Sequence, residues 1–346
     1  MEAIRELEGA SDASVAALAV VALADTDPGH LAAIASELGV RRASVELEDL
    51  LRDDDIDAVS ICTPHSLHEP QALAAIAAGK HVLVEKPMAT DVDAATRMID
   101  AAEAAGVTLY MAEHHPYEAR FGELRRIVRS GDHFGELVFG ACVAGYRAPN
   151  PSYPGRRAWL TDPARGGTGT WMLQGVHTVA ALRFVLGEVR SVYMLEHRAG
   201  SFERSDLEAT MSGVVELEDG VVVWLVQTTE TDLRPRLTGF RLYGDQGVVI
   251  GRDDGYDVYA VDARKGDQPT TLPYPEHPLS AYALELEAFA DTVAGRATGP
   301  TTGRSERRTL AVIEAGFESA RTRQPVDLRV RYPDIWTDER VLAPHT

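Results

Sequence analysis

The first third of the chain alternates short apolar segments with segments whose apolar residues recur at helical spacing. Four apolar segments have the length of buried strands: Val20 to Ala24, Asp57 to Cys62, His81 to Val84 and Val107 to Met111. The segments between them are predicted helices, the first of which ends at Gly39. Strands that alternate with helices in this way are typical of a parallel α/β sheet with right-handed crossovers.

Beyond about residue 135 the pattern changes to the two-residue alternation of half-buried strands. The dipeptide Asp219-Gly220 lies between two β-branched runs, Val214 to Leu217 and Val221 to Val226, and predicts a hairpin turn. Two helical segments interrupt the strands near the end, so the region is α+β. The other predicted elements are strands over Phe240 to Tyr243, Val248 to Ile250 and Tyr256 to Val261, and helices over Tyr282 to Val293 and Ser305 to Arg321.

The length of 346 residues suits two domains, because single hydrophobic cores stop growing at about 250 to 300 residues. We expect a Rossmann-like, doubly wound parallel sheet that is incomplete at its N-terminus over residues 1–116. Residues 117–346 are expected to form an α+β domain with a large, mostly antiparallel open sheet that binds substrate and forms oligomers.

The formal net charge is −19, from 34 basic and 53 acidic side chains. Such a field repels nucleic acid and anionic lipid, so neither is expected as a partner. The longest apolar run, Val15 to Ala24, is too short to span a membrane, and no secretory signal is apparent. Cys62 and Cys142 lie far apart without metal-ligand spacing, so the cytoplasm is the expected compartment.

The parallel region has the later parts of a dinucleotide-binding fold without its opening strand. In that fold a first strand leads into a GxGxxG loop, and an acidic residue ends the second strand. Asp25 stands at the acidic position, and Ile4 to Leu7 is predicted as the end of the first helix. Gly167 to Met172 lacks the third glycine and does not open a βαβ unit, so we reject it as the phosphate loop.

We therefore expect the first strand and its glycine loop to lie before Met1. A start assigned about 20 to 25 residues too late would explain this, and a real truncation of the pyrophosphate site is the alternative. We favour the late start, because a parallel sheet without its central strand leaves backbone groups unpaired.

Three local motifs carry the candidate chemistry. Ser60 to Pro64, followed by His65 and His68, ends one predicted strand, and open α/β sheets collect ligands at such ends. Val82 to Pro87 closes the next strand with Glu-Lys-Pro, and Gly166 to His177 joins a glycine-rich stretch to a histidine. Together these motifs resemble the Gfo/Idh/MocA oxidoreductases, and the resemblance runs from about residue 17 to the C-terminus.

The resemblance implies hydride transfer between NAD and a hydroxyl-bearing carbon of a sugar, cyclitol or related cyclic alcohol. It implies that Lys86 stabilises the developing alkoxide and that His177 takes or returns the hydroxyl proton. The residues expected to bind the cofactor are Asp25, Thr63, Pro64, His68, Glu85, Lys86 and His114. Those expected to bind the substrate are Lys86, His115, Tyr117, Arg156, Trp159, Leu173, Gln174 and His177.

The carboxylate of Asp25 favours NAD over NADP. It can accept hydrogen bonds from both ribose hydroxyls of NAD, and it repels a 2′-phosphate. Thr26, Asp27 and Pro28 follow it and bring no arginine that would offset this repulsion. The alternative role, a helix N-cap, fits Asp27 better because Asp27 precedes Pro28.

Leu173 departs from the family pattern, which has Asp or Asn four residues before the histidine. A leucine side chain neither donates nor accepts a hydrogen bond, so another group has to orient the substrate and the base. Gln174, Glu113 or a tyrosine of the pocket is expected to supply the contact. Otherwise the chain carries out a different reaction or is a non-catalytic member of the family.

The segment Ala112 to Tyr117 also departs from the family pattern, with His114 at the usual Asn position and Pro116 at the usual Arg position. In one interpretation His114 or His115 faces the nicotinamide or the substrate, and in the other the two form a solvated loop pair. Along the chain, no carboxylate and histidine trio shows metal-ligand spacing, so no metal site is expected.

Arg156, Arg157 and Trp159 lie shortly before the glycine-rich stretch. Arginine binds carboxylate or phosphate well and tryptophan stacks on sugar faces, so these side chains predict an acidic substrate if they point into the cleft. A surface loop with an anchoring tryptophan is the alternative.

An NAD-dependent dehydrogenase or reductase is the leading interpretation, and two others remain open. One is a glycoside-cleaving member of the family, which forms a transient ketone and then returns the hydride. The other is a non-catalytic, dinucleotide-bound sensor or repressor. A homo-oligomer, either a dimer or a tetramer, is expected because the broad second sheet resembles the surface through which family members associate.

Overall fold

The computed structural model shows a parallel α/β part followed by a nine-stranded sheet with helices. The predicted fold class, a Rossmann-like sheet followed by an α+β unit, is confirmed. The structure describes residues 2–9, 18–145, 147, 158–160, 162–166, 168–197, 207–231, 239–262 and 267–337.

Five short parallel strands form the first part. They are β1 Ala22–Ala24, β2 Arg42–Ser44, β3 Ala58–Ile61, β4 His81–Glu85 and β5 Leu109–Ala112. β1 pairs with β2, whereas β3, β4 and β5 form a separate sheet in that order. In a Rossmann fold the first strand lies between these two groups, and no described residue takes that place.

Five helices accompany these strands, and caps fix the ends of several. They are α1 Glu2–Gly9, α2 Pro28–Leu38, α3 Leu47–Leu51, α4 His68–Ala77 and α5 Val92–Ala105. Asp27 caps α2 by accepting from the backbone nitrogens of Gly29 and His30 at 3.0 and 3.1 Å. Gly39 and Gly106 end α2 and α5 in the left-handed conformation, which confirms the predicted end at Gly39.

The second part is built on one large sheet. Its strands are β6 Leu137–Gly145, β7 Val189–His197, β8 Thr210–Leu217, β9 Val222–Thr228, β10 Gly239–Gly244, β11 Gly247–Gly251, β12 Gly255–Ala260, β13 Thr270–Pro273 and β14 Val326–Asp327. Their order is β13-β12-β11-β10-β6-β9-β8-β7-β14, and every neighbouring pair is antiparallel except β6 and β9. The predicted hairpin turn at Asp219-Gly220 joins β8 to β9, and Gly220 has a φ of 88°.

Helices accompany the large sheet, and one of them packs against the buried Trp171. They are α6 Ala119–Ser130, α7 Val176–Leu186, α8 Ala281–Val293, α9 Gly303–Thr322, α10 Leu328–Arg331 and α11 Pro333–Trp336. The indole nitrogen of Trp171 donates to the Ile313 carbonyl at 2.9 Å. A Cβ on Gly175 or Gly316 would come within 2.6 or 2.7 Å of this indole, so both positions require glycine.

The two parts contact each other through α8 and the segment that precedes α9. Ala3 and Leu7 of α1 pack with Ala283 of α8, and Tyr110 of β5 forms a β-bridge with Thr302. The domain division between residues 116 and 117 therefore stays a prediction. In the part of the chain that the structure describes, no helix is both long and apolar enough to cross a membrane.

Candidate active site

Lys86 directly follows β4 and reaches from the first part of the molecule to the second. The buried residues Val82 and Val84 anchor the strand, and the next peptide bond, between Lys86 and Pro87, is cis. The Lys86 Nζ donates to the backbone oxygen of Leu173 at 2.8 Å. Burial lowers the pKa of Lys86, while the carboxylate of Glu85 opposes this effect.

The partner of Lys86 lies in a π-helical turn, Trp171–Gly175, that leads directly into α7. Single π turns within helices are common at functional sites. The Glu208 carboxylate fixes the start of the turn by accepting from the Trp171 backbone nitrogen at 2.7 Å, and burial raises the pKa of Glu208 to about 7. Leu173 therefore contributes its carbonyl oxygen to the site, and its apolar side chain is buried.

Glu113 holds His177 in place. The His177 Nδ1 lies 2.6 Å from Oε2 of Glu113, a fully buried carboxylate that immediately follows β5. Of the candidates for the contact that Leu173 lacks, Glu113 is the residue that reaches His177. An ionised carboxylate only accepts hydrogen bonds, so Nδ1 donates and Nε2 is left as the proton acceptor. Burial lowers the pKa of His177, and the charge of Glu113 raises it.

The same carboxylate also holds His115. The Glu113 Oε1 accepts from the His115 backbone nitrogen at 3.0 Å and lies 2.9 Å from Nδ1 of its ring. Burial alone would raise the pKa of Glu113, but His177 and His115 hold it well below the usual range. Glu113 is therefore a charged group that orients two imidazoles at once.

His114 and His115 both lie in the site, because a 3₁₀ turn over His115–Tyr117 begins directly after His114. The ring centroids of His114 and His115 lie 5.3 and 4.6 Å from that of His177. His114 also stacks on Tyr282 of α8 at 4.6 Å. With side chains only about one-fifth exposed, the two residues do not form a solvated loop pair.

Four residues of the site could ligate a metal ion. One donor atom each of Glu113, His114, His115 and His177 lies within 4.8 Å of the other three. Spacing along the chain did not show this grouping, because the fold brings His177 to the loop after β5 from 64 residues away.

The predicted cofactor residues lie at the ends of the parallel strands. Asp25 follows β1, and its carboxylate accepts from the backbone nitrogen of Asp27 at 2.9 Å. Thr63 and Pro64 follow β3, and Glu85 ends β4 beside Lys86. The acceptor chemistry of Asp25 fits ribose hydroxyls, and the strand ends lie where an open α/β sheet binds a dinucleotide.

His68 lies behind this edge rather than on it. Its ring is fully buried, and its Nδ1 and Nε2 lie 2.9 Å from the carbonyl oxygens of Pro87 and Thr63, respectively. Both ring nitrogens thus face carbonyl oxygens, and a neutral imidazole donates to one of the two. His68 ties the loop after β3 to the loop after β4, and any influence on a cofactor passes through those loops.

Trp159 packs against His65, which lies in the short turn directly before α4. The two rings meet edge to face with centroids 4.7 Å apart, and the His65 Nδ1 lies 2.8 Å from the Gly166 carbonyl oxygen. Burial lowers the pKa of His65 to about 3. Arg156, the other half of the predicted acidic-substrate site, lies outside the described residues.

The remaining two predicted substrate residues occupy different positions. The hydroxyl of Tyr117 lies 2.6 Å from that of Tyr110 and 3.2 Å from Oγ1 of Thr301, and burial raises its pKa. The Tyr117 hydroxyl therefore already has two partners, one in β5 and one in the segment before α9. Gln174 is half-buried in the π turn next to Leu173.

A cavity of about 130 Å³ extends from His115 toward the large sheet. Arg120 and Thr178 contribute polar groups to its wall. Four aromatic rings also line it: Phe121, Phe240, Tyr256 and Tyr274.

Sequence reasoning missed this lining, and it also missed Glu118 and Tyr282. None of these residues belongs to a recognised motif. Glu118 lies only four residues after His114, whereas the long-range pairing of elements brings Tyr282, Phe240, Tyr256 and Tyr274 to the site.

A family model described as an oxidoreductase family with an NAD-binding Rossmann fold matches residues 3–114. A second model, the GFO/IDH/MocA C-terminal domain, matches residues 121–250. A 1,5-anhydro-D-fructose reductase of Ensifer adhaerens is 30% identical to the chain, covering 89% of it and 91% of the relative. A D-xylose 1-dehydrogenase (NADP(+)) of Haloferax volcanii is 31% identical with the same coverages.

Among solved structures, the aldose-aldose oxidoreductase of Caulobacter crescentus in complex with glycerol superimposes with a TM-score of 0.78 at 25% identity. The match covers 91% of this chain and 93% of the other. The family models cover both parts of the fold, including the segments that carry Lys86, Glu113 and His177. The chain therefore belongs to the Gfo/Idh/MocA family of oxidoreductases with an NAD-binding Rossmann fold.

Proposed function

We propose that the protein transfers a hydride between NAD and a hydroxyl-bearing carbon of a sugar, cyclitol or related cyclic alcohol. The observation that carries the proposal is the joint position of Lys86 and His177, each held by one defined hydrogen bond. Their charges are close enough that Lys86 lowers the pKa of His177. A hydroxyl group that contacts both side chains would meet a cation and a proton acceptor together.

His177 is assigned the proton transfer. Its Nδ1 donates to Glu113, so Nε2 carries the lone pair that accepts the proton of an alcohol during oxidation. In the reverse direction the imidazolium returns this proton. Glu113 stabilises that imidazolium and keeps the ring in one orientation, as a carboxylate does for a catalytic histidine in general.

Lys86 is assigned the stabilisation of charge. The alcohol oxygen becomes negative as its proton leaves, and an ammonium group in a buried site attracts that charge more strongly than it would in water. The bond from Nζ to the Leu173 carbonyl fixes the direction of the amine. Two further donor hydrogens of the ammonium group remain for the substrate.

NAD supplies the hydride acceptor when it is bound, and this chain's residues hold and orient it. Asp25 is assigned to the adenosine ribose, and Thr63, Pro64 and Glu85 are assigned to the edge where the strands end. His114, which stacks on Tyr282, is assigned to contact the nicotinamide end of the cofactor.

Two relatives support a carbohydrate substrate, since their names describe reactions on anhydrofructose and xylose. The aromatic lining of the cavity beside His115 agrees with this class, because sugar rings pack on aromatic faces. The presence of Glu113 beside His177 weakens one of the two supports of the sensor alternative, which are Leu173 and the absent glycine loop.

A homo-oligomer is proposed on the open face of the large sheet. Trp224 is 60% exposed there, and Phe139 lies beside it and stacks on Tyr243 at 4.3 Å. A contiguous exposed apolar patch is the kind of surface through which protein chains associate. Light scattering on the purified chain, with Trp224→Glu for comparison, tests the assignment.

The central experiment compares Lys86→Ala with Lys80→Ala on a panel of aldoses, polyols and cyclitols. NADH formation is followed by absorbance, and thermal melts show whether each variant is folded. Lys80 serves as the matched control because its Nζ donates to the Asp53 carbonyl, in a different part of the first domain. We expect Lys86→Ala to lose turnover by roughly 100- to 1,000-fold while remaining folded.

Unchanged turnover in Lys86→Ala would refute its assigned role. A glycoside-cleaving reaction would appear as aglycone release without net NADH formation. Binding of NADH without turnover of any tested alcohol would favour the non-catalytic sensor over the dehydrogenase.

A further inference from the structure

The site contains more imidazole groups than proton transfer uses. We call Glu113, His114, His115, Glu118 and His177 the histidine cluster. Proton transfer to or from an alcohol requires a single base, which the proposed function assigns to His177. His114 and His115 lie beside that base with their rings 4.5 Å apart, so two further nitrogen ligands are available at the same place.

A carboxylate oxygen lies close to the outer nitrogens of both rings. The Glu118 Oε1 is 3.7 Å from Nε2 of His114 and 3.8 Å from Nε2 of His115. Ligand atoms on one tetrahedral zinc ion lie roughly 3.3 to 3.5 Å apart, given metal–ligand distances near 2.1 Å. The two separations that involve Glu118 are thus within about 0.5 Å of the spacing that a shared ion requires.

The groups behind these three residues have the arrangement found around metal ligands. His115 uses Nδ1 for the buried carboxylate of Glu113, which directs Nε2 toward Glu118. A histidine that ligates a metal almost always donates its other ring nitrogen in this way. Glu118 pairs its second oxygen, Oε2, with Nε of Arg120 at 2.6 Å, which leaves Oε1 facing the rings.

We propose that the histidine cluster binds one divalent transition-metal ion, with Nε2 of His114, Nε2 of His115 and Oε1 of Glu118 as ligands. Two imidazoles and one carboxylate are a donor set that suits Zn²⁺ and Co²⁺. The side chains of the three ligands are 19 to 23% exposed, so an ion and its water can enter from solvent.

This ion lies next to His177, whose ring stacks on that of His115, and His177 itself keeps its bond to Glu113. Two cationic side chains act on the cluster, Lys86 on His177 and Arg120 on His114, and Arg120 is already paired with Glu118. The site does not depend on the dehydrogenase assignment, because every ligand comes from the chain and no substrate or cofactor is needed.

The test is metal binding to the full chain without an affinity tag, in the absence of NAD and sugar. Zn²⁺ is titrated calorimetrically, and Co²⁺ is followed by its visible absorption, which reports a low-coordinate nitrogen and oxygen site. We expect one ion per chain. His114→Ala and Glu118→Gln should each weaken binding more than Glu113→Gln does, and Glu113→Gln should weaken it by about 10- to 100-fold.

Three controls separate this site from adventitious ones. Cys62→Ser and His277→Ala remove an exposed thiol and an exposed histidine elsewhere, and both should leave the affinity unchanged. His177→Ala should change it by only a few fold, since His177 is a neighbour and not a ligand. His114→Gln serves as a second variant if His114→Ala does not fold.

The absence of stoichiometric binding would overturn the proposal. So would binding that survives His114→Ala and Glu118→Gln, or binding that is lost in His177→Ala and kept in Glu118→Gln. Because turnover is not measured, failure here leaves the dehydrogenase assignment standing, and failure of the Lys86 experiment leaves the metal site standing.

Discussion

Two pairs of histidines lie close to the ends of the parallel strands, and they differ in what holds their rings. His65 and His68 contact backbone carbonyl oxygens, those of Gly166, Pro87 and Thr63, at 2.8 to 2.9 Å. Both are buried and tie loops together. We call this the carbonyl-held pair.

The carboxylate-held pair, His115 and His177, contacts the two oxygens of Glu113 at 2.9 and 2.6 Å. A neutral carbonyl does little to offset the cost of a buried positive charge, and burial lowers the pKa of His65 to about 3. Glu113 offsets part of that cost, since its charge raises the pKa of His177, although burial still holds that pKa below its usual value. A carboxylate partner therefore makes a positive charge on a buried histidine less costly than a carbonyl partner does.

Replacing one histidine of each pair is the strongest test of this difference. His177→Asn removes the proposed base, and kcat should fall by roughly 100- to 10,000-fold. His65→Gln is the matched control and should leave kcat within a few fold, because its ring bonds a backbone carbonyl and packs against Trp159 but has no proposed part in proton transfer. Steady-state kinetics on the best alcohol substrate, with melts of both variants, decide the matter. Equal losses of kcat in the two variants would contradict the proposed difference between the carboxylate-held and carbonyl-held histidines.

Neutralising the shared carboxylate is expected to have a smaller effect. Glu113→Gln keeps the size of the side chain, and kcat/KM should fall by about 10- to 100-fold, as for other groups that orient a reacting residue. Because Glu113 raises the pKa of His177, its loss lowers that pKa and moves the acid limb of the oxidation profile to lower pH. The pH profile of kcat/KM measures the shift. An acid limb that stayed in place or moved upward would contradict this role.

The carbonyl-held pair is expected to affect the free energy of unfolding rather than kcat. The pKa of His65 is about 3 in the folded protein and near 6.5 when unfolded, so the unfolded chain takes up the proton first. Stability is fully present above pH 6.5 and is lost as the pH falls toward 3, by about 1.4 kcal/mol per pH unit for this group. Urea unfolding at pH 7.5, 6 and 5 should show a shallower pH dependence in His65→Gln. Parallel curves for the two proteins would count against the prediction.

The smallest effect is expected where a side chain offers no polar group. Leu173 contributes its backbone oxygen to Lys86, so Leu173→Met should keep kcat within a few fold. The change of shape should lower the free energy of unfolding by less than about 1.5 kcal/mol. Kinetics and urea unfolding check both values. A large loss of kcat without a loss of stability would mean that the Leu173 side chain itself contacts the substrate.

The sequence predicted those parts of the site that follow a recognisable local pattern. Asp25 and Lys86 each come directly after an apolar strand, and His177 ends a glycine-rich stretch. The order of strands and helices was predictable for the same reason, since buried strands leave a strong apolar pattern. β2 and α3 escaped prediction because both are short and have no buried residue.

Contacts between distant segments were not predictable in this way. Glu113 was one of several candidates to orient His177, because spacing along the chain does not show which loop lies beside a residue 64 positions away. Tyr282 reaches His114 only because α8 returns to the first part of the molecule. The metal-ligand grouping was missed for the same physical reason.

The π turn at Trp171–Gly175 sets how Lys86 and His177, the two proposed reacting groups, are oriented relative to each other. Its carbonyl at Leu173 directs Lys86, and α7 begins at its end and carries His177 one residue later. Each residue of an α-helix advances by about 100° around the axis, so a deletion of one residue here would turn His177 away from Glu113. The number of residues in this turn therefore sets the direction in which His177 points, and the same turn fixes the direction of the Lys86 amine.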